Sequence, residues 1–143
     1  MVDQGVVRNH RAVQQNGAAA PVFSVAARWR SFVHAGRGIG TLIASQHNAW
    51  VHAAATLAVV GLGLALGISR LEWMALVVAI VSVWAAEAIN TAFELLCDVA
   101  SPGFHPLVKS AKDVAAGAVL ICAIGSAVTG ALVFGPALVA LLV

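Results

Sequence analysis

The chain is 143 residues long, 61% hydrophobic and only 10% charged, with a mean hydropathy of +0.93. Soluble domains run closer to roughly 45–50% apolar and ~25% charged, so this composition excludes a water-soluble globular enzyme and points to an integral membrane protein. A formal net charge of +2 without any basic block excludes a nucleic-acid surface.

A chain of this length supplies about three spans at ~20 residues each and leaves no room for a separate soluble catalytic domain. Any chemistry is therefore expected at the membrane surface, shared between copies of the chain. Residues 1–22, rich in Gln, Asn, Ala and Gly and without apolar periodicity, are expected to form a disordered tail. The remainder, 23–143, is expected to be a single membrane domain. Over residues 24–48, Val25, Trp29, Phe32, Gly36, Ile39 and Ile43 recur at helical spacing. Arg28, Arg30, His34 and Arg37 fall largely on other faces. The pattern predicts an amphipathic helix lying in the membrane interface. Gly36, Gly38 and Gly40 weaken it, each by ~1 kcal/mol relative to Ala.

The first span is predicted over 51–68, beginning too far into the chain to be a signal peptide. Ser69 to Glu72 form a tight connection, and Trp73 anchors the start of a second span over 73–96. Residues 97–113 are predicted as a polar loop. A third span follows over 114–133, ended by Gly135 and Pro136. Gly63 and Gly67 form a GxxxG pair, and Ala115, Ala116, Gly117 and Ala118 add a second small-residue run, so close helix packing and homo-oligomerisation are expected. Arg28, Arg30, Arg37, Lys109 and Lys112 lie on one side of the spans and Arg70 on the other. This places the N-terminus and the second loop in the cytoplasm. Cys97 and Cys122 lack CxxC spacing and read as small core residues.

Glu87, Asn90, Glu94 and Asp98 are the conspicuous residues. At roughly 100° per residue they fall within about 80° on one helix face, forming a polar stripe that runs out of the membrane. A carboxyl at the centre of a span costs ~2.5–3.5 kcal/mol on insertion scales. Packing alone does not put it there. The stripe is either a polar lock between helices or a reaction site. In the second case Glu87, the deepest, takes a proton from a lipid hydroxyl. Glu94 and Asp98, further out, hold Mg²⁺, a hard cation that prefers carboxylate and phosphate oxygens.

Lys112 and Asp113 read either as a snorkelling Lys beside a helix-capping Asp or as a phosphate-neutralising cation aided by the helix dipole. Gly36-Arg37-Gly38-Ile39-Gly40 matches no phosphate-loop pattern. His34, His47 and His52 form no compact metal set and read as interface histidines. His105 has no role legible from spacing.

Glu87-Ala88-Ile89-Asn90-Thr91-Ala92-Phe93-Glu94, then Asp98, His105-Pro106-Leu107 and Ala111-Lys112-Asp113, resemble the small bacterial diacylglycerol kinase/undecaprenol kinase family. Ser31-Phe32, Ala35, Gly38-Ile39, Asn48 and His52 also fit that family's surface-helix segment. The similarity covers roughly residues 27–136. It implies an all-α homotrimer of three-span subunits, each with an N-terminal surface helix, in the bacterial inner membrane. It further implies transfer of the γ-phosphoryl group of MgATP to a membrane lipid alcohol.

Carried over position by position, Glu87 would be the catalytic base, with Asn90 beside it. Glu94 would bind metal and ATP, with Asp98 as a further candidate ligand. Gly103, Phe104 and His105 would lie along the nucleotide, Lys112 and Asp113 would meet its phosphates, and Ala116 falls at a lipid-contacting position. Gln46 departs from the pattern, standing where many relatives carry a metal-binding Glu in an E-x-N-x-x-x-H context. The His105–Lys109 loop and the Ala115–Val119 run look closer to the undecaprenol-kinase branch. Two alternatives stand beside this reading: a catalytically impaired structural or regulatory trimer, and a small transporter or proton path.

Overall fold

The computed structural model describes residues 24–141, and the tail expected over 1–22 lies outside them. Every regular element among the described residues is a helix: α1 Val25–Ser45, α2 His47–Leu66, α3 Arg70–Ala100 and α4 Pro106–Ala140. Two compact units are distinguished. The described part of the first, up to Gly36, is the leading portion of α1, and the second begins at Arg37. The glycines at 36, 38 and 40 do not interrupt α1.

Three helices, α2, α3 and α4, are long and apolar enough to cross a bilayer. Their outward surfaces carry large exposed apolar side chains, among them Leu57, Leu64, Val78, Ile121 and Leu132. In water such a surface would aggregate, whereas acyl chains cover it at no cost. The 31 residues of α3 and the 35 of α4 rise ~46 and ~52 Å at ~1.5 Å per residue. Both exceed the ~30 Å hydrocarbon core, so their polar ends extend past it.

Several boundaries differ from the sequence reading, each for a local reason. The polar loop expected over 97–113 shrinks to residues 101–105, because α3 runs to Ala100 and α4 starts at Pro106. His105 caps α4, its Nδ1 accepting from the Leu107 N–H at 3.3 Å. Pro106 takes the first helical position, where its missing N–H is not needed. Asp113 is therefore not a cap. It lies inside α4 and pairs with Lys109 at 2.6 Å. The helix also continues through Pro136 rather than ending there.

Between α2 and α3, the tight connection is residues 67–69. Gly67 sits at φ +61° and its N–H returns to the Gly63 carbonyl, a left-handed conformation that favours glycine. Gly67 is thus a helix stop rather than half of a GxxxG packing pair. Ser69 and Glu72 form a reciprocal capping box: the Ser69 N–H donates to Glu72 Oε2 at 2.7 Å and the Glu72 N–H donates to Ser69 Oγ at 3.4 Å.

α3 and α4 form the most extensive helix pair. Leu76, Val133 and Phe134 are buried together, with Val59, Leu62, Leu66 and Ile68 packed on them. This core clamps the start of α3 against the ends of α2 and α4, leaving the polar residues to the opposite end of the bundle. Gly63 makes the close approach possible, since a Cβ there would fall 2.9 Å from the Trp73 ring. Gly63→Val should lower the unfolding temperature in detergent, with an overpacking cost of about 1–3 kcal/mol. Gly61→Ala, at a helical position with nothing within 4 Å, should not lower it and should raise it slightly. Equal behaviour of the two variants would contradict the packing described.

Candidate active site

The polar stripe of α3 faces the bundle, and burial falls off along it. Glu87 is 0% exposed and Asn90 5% exposed. Glu94 is half-buried and Asp98 is exposed. The helical period that aligns these residues in sequence thus becomes a path from the protein interior to the end of the helix.

The outer stripe residues each meet a side chain from another element or from their own next turn. Asn90 Nδ2 donates to Glu94 Oε1 at 3.1 Å. Gln46, the extended residue between α1 and α2, donates its Nε2–H to Glu94 Oε2 at 3.2 Å. One residue beyond the end of α1 therefore reaches a carboxylate 48 positions away. Lys112 Nζ on α4 donates to Asp98 Oδ1 at 2.5 Å, closing the outer end of the stripe with a charge-assisted bond.

Glu87 is different. Both of its carboxylate oxygens, like Asn90 Oδ1 and Thr91 Oγ1, are buried without a hydrogen-bond partner among the described residues. His52 on α2 faces it, with Nε2 3.8 Å from Glu87 Oε2. A polar lock between helices would commit these oxygens to hydrogen bonds, because an unpaired buried carboxylate costs roughly several kcal/mol. Glu87 instead has no such partner among the described residues.

Asn48, His52, Glu87, Asn90, Glu94 and Ala116 line one cleft of about 250 Å³ between α2, α3 and α4. It adjoins an apolar cavity of about 330 Å³ that shares His52 and Ala123 and is walled by Trp84 and Phe134. A polar pocket beside an apolar one suits an amphiphile whose reactive end is polar. Gly103, Phe104 and His105 are not among the cleft's lining residues. They sit in the 101–105 connection, with Phe104 exposed and Gly103 accepting a hydrogen bond from Ser101 Oγ. Lys112 stands one turn before Ala116 on α4, at the rim, while Asp113 points to Lys109.

His52 reads from the sequence as an interface histidine, yet it is the side chain facing Glu87. The available signal is its place six residues after Gln46 and four after Asn48, on the α2 face that meets α3.

The donor set suits a hard cation. Glu94 keeps acceptor capacity beyond its two amide bonds, and the buried Asn90 Oδ1 is unpartnered among the described residues. No three of the described His, Cys, Asp and Glu side chains form a closed metal cage.

The chain is similar to known proteins over most of its length. Residues 33–134 match the family model described as prokaryotic diacylglycerol kinase. An undecaprenol kinase of Bacillus subtilis (strain 168) is 43% identical over 110 residues, covering 77% of this chain and 89% of that protein. A diacylglycerol kinase of Synechocystis sp. (strain ATCC 27184 / PCC 6803 / Kazusa) is 33% identical over 114 residues, covering 79% of this chain and 65% of that protein. No solved structure matches the chain. With its acidic stripe, its three apolar helices and a family match across most of its length, the chain belongs to the prokaryotic diacylglycerol kinase family.

Proposed function

We propose that this protein transfers the γ-phosphoryl group of MgATP to the hydroxyl of a membrane lipid alcohol. It works at the cytoplasmic face of the bacterial inner membrane, as a homotrimer whose sites lie between subunits. The observation that carries this reading is Glu87: wholly buried, its oxygens unpartnered among the described residues, in a cleft it shares with Asn90 and Glu94.

Phosphoryl transfer asks the protein mainly for positioning and charge stabilisation. The lipid hydroxyl enters the cleft beside Ala116, its hydrocarbon lying along the adjoining apolar cavity. Glu87 accepts the hydroxyl proton as the oxygen attacks the γ-phosphorus in line. Asn90 fixes Glu94 through its amide, and Glu94 with the Gln46 and Asn90 side-chain oxygens would hold Mg²⁺. When bound, such an ion would supply positive charge against the phosphate oxygens. Lys112, freed from Asp98 as phosphate arrives, adds positive charge where negative charge builds up. Gly103, Phe104 and His105 supply the surface along which the nucleotide lies, with Asp113 on the same side.

Gln46 gives this site a particular character. Its amide donates to Glu94, so the pair is satisfied without a cation, whereas a Glu at this position would repel Glu94 until a cation came between them. Gln46→Glu should therefore lower the Mg²⁺ concentration needed for half-maximal activity, on the order of 10-fold. A magnesium titration showing no shift would place residue 46 outside the metal shell.

Undecaprenol is the favoured substrate, since the more similar of the two relatives above is an undecaprenol kinase. Purified protein in lipid bilayers, given labelled ATP with undecaprenol or diacylglycerol in parallel, tests both statements. Labelled undecaprenyl phosphate in excess is expected. Label in diacylglycerol alone would redirect the substrate, and label in neither would overturn the kinase reading.

A further inference from the structure

Glu87 Oε2 and His52 Nε2 face each other at 3.8 Å, beyond hydrogen-bond range. Neither atom has another hydrogen-bond partner among the described residues. The two groups nevertheless approach each other across the α2–α3 contact. A proton on either atom would draw the two together and satisfy both buried groups. In the proposed phosphoryl transfer a proton arrives at this carboxyl. We propose that His52 receives the proton that Glu87 takes from the lipid hydroxyl and passes it out of the cleft, an inference that rests on Glu87 being the base.

The surroundings fit a relay. The Glu87 side chain is 1% exposed and has no exit of its own for a proton, whereas the His52 side chain is 15% exposed. Oε2 is the oxygen toward His52, and Oε1 has no hydrogen-bond partner among the described residues. His52 is also held in place. Thr56 Oγ1 donates to the His52 carbonyl at 2.7 Å, and Trp84 Nε1 on α3 donates to Thr56 Oγ1 at 3.1 Å. The Trp84 ring meets the imidazole edge-on at 6.3 Å. Trp84 lies one turn before Glu87, so the indole ties the segment of α2 that carries the imidazole to the segment of α3 that carries the carboxylate.

The steps balance. The lipid O–H bond breaks and its proton bonds to Glu87, while the lipid oxygen bonds to the γ-phosphorus and the bond from that phosphorus to the nucleoside diphosphate breaks. The Glu87 O–H bond then breaks as an N–H bond forms at His52 Nε2. The resulting imidazolium releases a proton to water, and Glu87 is a carboxylate again for the next turnover.

The test compares full-length wild type, H52Q, H52A and E87Q in lipid bilayers with labelled ATP and the lipid alcohol, resolving kcat from both KM values. Gln at 52 keeps hydrogen-bonding capacity but cannot carry a proton. H52Q should lose on the order of 10²-fold in kcat while both KM values stay within about two-fold. Added imidazole should restore turnover to H52A and not to E87Q. An H52Q enzyme with unimpaired kcat, a loss confined to KM, or an H52A enzyme deaf to imidazole would overturn the relay. An active E87Q would remove the base itself and the relay with it. An inactive E87Q beside an unimpaired H52Q would remove the relay alone.

Discussion

Glu87→Gln will bind nucleotide and lipid as the wild type does and will not phosphorylate the lipid. The substitution keeps the volume of a side chain that is 0% exposed, so the packing of α3 against α2 and α4 survives. It removes the one property the mechanism requires, a carboxylate able to accept a proton. Loss of a positioned general base costs typically ~10²–10⁴ in rate, and the decrease should fall on kcat alone. Steady-state kinetics with labelled ATP, alongside binding of a fluorescent nucleotide, separates the two parameters. Because an amide can donate as well as accept, the substituted side chain should also gain a hydrogen bond that Glu87 lacks, and the variant should unfold no earlier than wild type. Wild-type turnover would remove Glu87 from the chemistry and return the stripe to a structural role.

Lys112→Met carries the second large effect. Lys112 bonds Asp98 at 2.5 Å at the outer end of the stripe. In the proposed mechanism its removal takes away the cation facing the developing phosphate charge and leaves Asp98 to repel the triphosphate. Removing one preorganised electrostatic donor costs ~10²–10³ in kcat, and a weaker ATP affinity should accompany it. Lys109→Met is the natural comparison. Lys109 pairs with Asp113 one turn along the same helix, both side chains more than 60% exposed. Such surface pairs contribute about 0–1 kcal/mol, so its activity should stay within about three-fold of wild type. Equal losses in both variants would mean that general positive charge near the membrane, rather than the Lys112 position, supports turnover.

These two residues also mark what can be read from sequence. The stripe is legible because a single helix carries it: the spacing of Glu87, Asn90, Glu94 and Asp98 follows from helical period alone, and the cost of carboxyls in an apolar stretch flags them. The all-helical membrane architecture follows from composition for the same reason. The contacts that turn the stripe into a site are not legible from spacing. His52 facing Glu87, Gln46 donating to Glu94 and Lys112 donating to Asp98 depend on how far α2 and α4 are shifted along α3. That register is set by side-chain packing at the far end, around Leu76, Val133 and Phe134.

Helix ends differ from the sequence reading where polar residues act as caps. Hydropathy counts His105, Lys109 and Lys112 against a helix, whereas His105 and Pro106 begin one. Ser69 and Glu72 read as a turn, although their spacing is that of a capping box. In each case the apolar stretch marks the membrane portion, and the helix outlasts it because a cap satisfies its first N–H groups.

The most direct measurement of the central claim is an experimental structure of the protein in lipid with Mg²⁺, a non-hydrolysable ATP analogue and a lipid alcohol. The lipid hydroxyl is expected within about 3 Å of a Glu87 oxygen, with the terminal phosphate between Glu94 and Lys112. A nucleotide bound away from these side chains, or Glu87 turned from the lipid headgroup on every subunit, would contradict the account.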